Sequence, residues 1–213
     1  MSYDFAVIPV DSFETVEQAL RICDAMYDEP QGRPSPQVVQ LIDELERHDN
    51  TGHDGLVSMW PIDADARGAL VCTRAGCNNT YAMLNLTKDR GLAVVDVQVR
   101  RLYDPRSHVD VQVSLGDGTN LPYLTAPLLE DLIARPHRQY PWLVVARGDH
   151  WFIQAHFAPD ADCVLEYRDG GPERHFGAST SDRAVVPTVI WQWVIEDPAW
   201  RVALCWQRAD HLS

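Results

Sequence analysis

Six polar residues in the C-terminal third are spaced so that they could do chemistry together. His150, Gln154 and His156 flank and punctuate the run Trp151, Ile153, Ala155, Phe157. In an extended strand side chains alternate faces, so if the apolar set faces a core the two histidines and the glutamine share the other side. The following runs can bring Glu166, Arg168 and His175 onto that same side. Two imidazoles and a carboxylate (His150, His156 and Glu166) would suit a metal ion or a general base. The same residues would also suit the hydrated outer face of a sheet covered on one side only.

Other catalytic signatures are missing from the sequence. It contains no Gly-x-Ser-x-Gly elbow, no phosphate-cradling Gly-x-x-x-x-Gly-Lys and no Rossmann glycine fingerprint. Lys88 is the only lysine, which leaves one candidate for Schiff-base chemistry, on an expected exposed helix. Cys72 and Cys77 form a C-x4-C pair, but a structural zinc site needs a second pair or histidines at ligand spacing nearby. No cofactor and no metal are therefore expected.

The elements that must position these residues follow from periodicity. Asp4–Val10 is apolar and short, a strand ended by Pro9. Glu14–Tyr27 places Val16, Leu20, Cys23 and Tyr27 on one helical stripe, with Asp11 or Ser12 as its cap. Ser35-Pro36 opens a second helix whose stripe is Val38, Leu41, Ile42 and Leu45. Strands are expected at Leu56–Ile62, Ala69–Thr73 and Leu92–Val99, with a helix from Asn79 or Thr80 to Arg90 closed by Gly91. After a boundary at Pro105–Ser107 the pattern changes. Val109, Val111, Val113 and Leu115 alternate, Gly116-Asp117-Gly118 turns, and Thr125 caps a helix from Ala126 to Arg135. Runs at 142–147, 151–157, 163–168 and 173–178, joined by short turns that include 158–160, form an antiparallel meander. Val186, Val189, Ile190 and Trp193 mark a helix over it. The expected class is α+β: residues 1–105 as a small sheet with helices on one side, and residues 106–213 as an antiparallel meander covered by a helix.

Charge narrows the partners. Eighteen Lys and Arg against thirty-one Asp and Glu leave a net charge of −13, and fourteen acids against three bases give residues 1–66 a net of −11. Such a field repels nucleic acid and anionic membrane and steers basic partners inward. No run approaches the roughly 18 apolar residues of a membrane span, and the opening Met-Ser-Tyr-Asp-Phe lacks the basic and apolar regions of a secretory signal. Five scattered cysteines read as free thiols. A cytoplasmic protein that binds neither nucleic acid nor membrane is expected.

Val164-Leu165-Glu166-Tyr167-Arg168-Asp169-Gly170 with Glu173-Arg174-His175-Phe176, the tryptophan-rich close at Trp191, Trp193, Pro198-Ala199-Trp200 and Leu204-Cys205-Trp206, and Leu121-Pro122-Tyr123-Leu124-Thr125 ahead of a helix resemble one family. That family is the deaminase-associated immunity proteins of bacterial polymorphic toxin systems, and the resemblance covers roughly residues 109–208. The first half resembles a different actinobacterial module without established chemistry, through Ser2-Tyr3-Asp4-Phe5, Pro34-Ser35-Pro36 and Gly91-Leu92-Ala93-Val94. The resemblance implies a stoichiometric inhibitor of a basic toxin domain, a deaminase or nuclease, and no enzyme. Contacts are expected from Asp43, Glu44 and Glu46 on the second helix, from Glu166, Arg168 and His175 on the meander, and from Trp191 and Trp200.

Overall fold

The computed structural model describes residues 2–50, 55–74, 76, 79–157 and 161–209. The chain divides into two compact units, Met1–Arg106 and Ser107–Ser213. Both are α+β, each built on an antiparallel sheet. Cys77 and the turn at 158–160 lie outside the described residues.

The first unit runs β1 (Ser2–Pro9), α1 (Val16–Ala25), α2 (Pro36–Asn50), β2 (Asp63–Asp65), β3 (Gly68–Arg74), α3 (Asn79–Thr87), β4 (Leu92–Asp96) and β5 (Arg101–Tyr103), with sheet order β2-β3-β1-β4-β5. Phe5, Ala6, Val7 and Ile8 of the central strand are all fully buried. Ala6 and Ile8 join Ala93 and Val95 against Phe13, Ala19, Cys23 and Met26, so α1 covers that face. The opposite face, with Phe5, Val7, Val71 and Val94, is buried as well. The stripe of α2 (Val38, Leu41, Leu45) and Met83 and Leu84 of α3 are also buried, which adds a second covered face to the one expected.

Two local expectations change. The cap of α1 is Thr15, whose hydroxyl accepts from Gln18 N in a reciprocal capping box, while Val10–Ser12 form a 3-10 turn. The strand expected at Leu56–Ile62 is not formed. The backbone N–H groups of Leu56 and Val57 donate to the Asp49 carboxylate at 2.7 and 3.1 Å, which diverts Leu56 N–H from β3, while Ser58 N–H donates to Cys72 O at 2.8 Å. One isolated bridge, Val57 to Thr73, remains. β2 forms just afterwards from Asp63, Ala64 and Asp65, residue types that favour strands poorly.

The second unit runs β6 (Gln112–Leu115), β7 (Asn120–Leu121), α4 (Ala126–Ala134), β8 (Trp142–Gly148), β9 (Trp151–His156), β10 (Cys163–Asp169), β11 (His175–Thr180), α5 (Val185–Val194), α6 (Trp200–Ala203) and β12 (Gln207–Arg208). Its sheet order is β12-β11-β10-β9-β8-β6-β7, so the meander is continuous from β8 to β11, and β12 joins the edge after α5 and α6. Thr125 caps α4 by accepting from Leu128 N. The inner face is buried through Val113, Val145, Ile153 and Tyr167 and through Leu143, Ala155, Leu165 and Ala178. The stripes Leu128, Leu129, Leu132 of α4 and Val186, Val189, Ile190, Trp193 of α5 supply matching apolar surface.

Candidate functional site

The outer face of the second sheet collects the predicted polar residues in cross-strand rows. One row runs Ser114–Val144–Gln154–Glu166–Gly177, and the next runs Trp142–His156–Val164–Ser179. On the other side lie Ala146, Phe152, Arg168 and His175. Glu166 is the hub. Its Oε2 accepts from Gln154 Nε2 at 2.9 Å and lies 3.1 Å from His175 Nε2. Glycine stands directly opposite Glu166 on β11, so the side chain that reaches the carboxylate from that strand is diagonal. The ring of His175 also meets Phe152 edge-on at 6.1 Å. With side chains 32% and 28% exposed, the His175–Glu166 pair is worth only about 0–1 kcal/mol as an ion pair. Its geometric effect is larger, because two neighbours hold the carboxylate in one orientation.

Beside Glu166 the face dips into a groove of about 210 Å³ lined by Trp142, Val144, Gln154, His156, Val164 and Glu166 among others. Trp142 is 38% and Val164 37% exposed. Neither was singled out from sequence, although the same alternation that placed Gln154 and His156 outward also places Trp142 and Val164 outward.

The histidine assignment changes. His150 sits in the turn before β9 and His156 at its far end. Six residues of strand separate them by roughly 20 Å, so His150, His156 and Glu166 do not converge; the imidazole on Glu166 is that of His175. Arg168 shares the face but donates its Nε–H to Gly170 O at 3.0 Å. Among the described residues no group of three or more His, Cys, Asp and Glu side chains is placed to hold a metal ion. Burial pushes the thiol of Cys72 up to about 11, helped by a hydrogen bond with Asp4, which holds it protonated.

On α2, Asp43 and Glu46 are exposed. Glu44 is already engaged, paired with Arg90 just after α3. The tryptophans also sort themselves. Trp200 is 5% exposed, with its ring edge-on to Tyr167 and Trp206 at 4.6 and 5.8 Å, so it belongs to the core and not to a contact surface. Trp191 on α5 is half-buried.

Summed over the whole of each unit, the charge is more even than residues 1–66 alone suggest. Residues 67–106 belong to the first unit and are basic, so that unit holds seventeen acids and ten bases, and the second holds fourteen acids and eight bases. The net charges are −7 and −6. Acidity that looks confined to the front of the chain is therefore shared nearly evenly. No family model, curated protein or solved structure matches the chain.

Proposed function

We propose that the chain is an immunity protein, one that binds a basic, nucleic-acid-directed toxin domain of deaminase or nuclease type and occludes it stoichiometrically. The observation that carries this reading is the outer face of the second sheet: a shallow groove with exposed Trp142 and Val164 beside a pre-oriented carboxylate. Exposed aromatic and apolar side chains around an oriented polar group are what protein recognition uses. The net charge of −13 supports it, since a toxin that must attract a polyanion presents a basic surface. So does the resemblance across residues 109–208.

The test is co-expression with the product of the adjacent gene. A 1:1 complex that has lost toxin activity is expected. A purified chain that carries stoichiometric zinc or iron and turns over a small molecule would overturn the reading. Within the complex, reversing the charges of Asp43 and Glu46 separates the surfaces. Slower association with a flatter salt dependence places α2 at the interface; unchanged rates remove it.

A further inference from the structure

We infer that the groove beside Glu166 is the socket for a single arginine side chain of the protein partner. The inference rests on the binding reading above only for where that arginine comes from. The groove supplies the two environments an arginine needs. Trp142, Val144 and Val164 form apolar walls along which its methylene stem can lie, since long cationic side chains bury their stems while keeping the charged head hydrogen-bonded. Glu166 supplies the anion. Two protein groups hold its Oε2, and Oε1 has no partner among the described residues. A carboxylate fixed on one oxygen and open on the other is pre-organised to accept a further donor, so little ordering is needed when that donor arrives.

The geometry agrees. Trp142 and Glu166 stand two strands and two residues apart, about 10 Å across the sheet and about 7 Å along it. Gln154 and His156 lie between them on β9. An arginine entering past the exposed indole would cross Gln154 and His156 diagonally toward the carboxylate, with Val144 and Val164 flanking it at the other two corners. A guanidinium suits this socket better than an ammonium, because its planar, weakly hydrated head stacks on an indole and still presents N–H groups in a fork. Arg168, two residues along β10 on the same face, donates to Gly170 O at 3.0 Å.

The experiment titrates the full chain, isotopically labelled, with acetyl-arginine-amide and reads the backbone amides, the Trp142 indole N–H and the Gln154 side-chain amide by NMR. The matched probes are acetyl-citrulline-amide, of the same shape without the charge, and acetyl-lysine-amide. Arginine should shift Trp142, Gln154 and Val164 and bind about fivefold tighter than citrulline, the size of one partly exposed charge interaction. Glu166→Gln should erase that preference while leaving the rest of the amide spectrum in place. Trp142→Ala, at an exposed position, should weaken both probes. Equal binding of citrulline, equal binding of lysine, retention of the preference in Glu166→Gln, or no shift at tens of millimolar arginine would each overturn the assignment. No toxin enters these titrations. Their failure would leave the co-purification test standing, and a missing toxin would leave the socket standing.

Discussion

Removing the carboxylate of Asp65 should destabilise the first unit more than any change to its exposed acids. Asp65 is 5% exposed at the end of β2. Its Oδ2 accepts from Gln31 N at 2.9 Å and Arg67 Nε at 2.8 Å, and its Oδ1 from Arg67 N at 2.7 Å. The Arg67 guanidinium, 13% exposed, also donates to Glu29 O at 3.0 Å and to Ala25 O. One part-buried ion pair thus ties the loop after α1 to the edge of the sheet. Removing the acceptor leaves charge-assisted donors without a partner and costs about 1–3 kcal/mol. Asp65→Ala should fall in that range. Asp65/Arg67 replaced together by Ala and Met should cost distinctly less than the two single losses combined. Hydrogen exchange at β1 and β3 amides isolates the unit's own opening free energy from that of the second unit.

The pH dependence has a definite sign. Burial raises the Asp65 carboxyl, but its hydrogen bonds from Arg67 and Gln31 outweigh that and hold it below the ordinary carboxylate range. A depressed folded value means stabilisation that is present above the unfolded value of about 3.9 and lost as pH falls through the folded one. The gap between wild type and Asp65→Asn should therefore narrow on acidification below pH 4. A loss under about 1 kcal/mol, additive double-mutant energies, or a gap that widens in acid would show that the pair does not hold this loop.

Two further outcomes bear on the second unit. Trp200→Ala should lower stability by about 3–5 kcal/mol through lost packing against Tyr167 and Trp206, measured by exchange at β10 amides; unchanged stability with weakened partner binding would return Trp200 to the interface. Among the cysteines of the described residues, thiol labelling should single out Cys205, which is exposed, while burial pushes Cys23 and Cys163 up to about 11. At pH 7 such a thiol is ionised about one part in ten thousand. Peptide-resolved mass spectrometry under native conditions checks this, and fast native labelling of Cys163 would contradict its placement in the core.

Much of the fold is legible from the chain because its helices and the meander bury one face each, and burial on one face leaves a period. The stripe Val38, Leu41, Leu45 and the alternation of Val113, Leu115, Ile153 and Ala155 carry that signal. The misses lie where another interaction overrides it. Leu56–Ile62 has strand composition, yet its pairing with β3 stops at the Val57–Thr73 bridge, where Asp49 takes the Leu56 N–H. Asp63–Asp65 has turn composition, yet pairing with Gly68–Leu70 makes it a strand. Thr15 displaces the expected caps because Gln18, three residues on, completes a capping box.

For the site, alternation alone placed Gln154, Glu166, Arg168 and His175 on one outward face, since period two is a property of the extended backbone and needs no partner strand. Alternation cannot say which residues on a face touch. That depends on register between strands, which is long-range: pairing Glu166 with Gln154 and Gly177 selected His175 over His150 and His156 as the imidazole on the carboxylate. Register also set Trp142 and Val164 on either side of His156 and so made the groove. Composition determined that the protein is acidic, and the boundary read at Pro105–Ser107 already divides that acidity between the two halves.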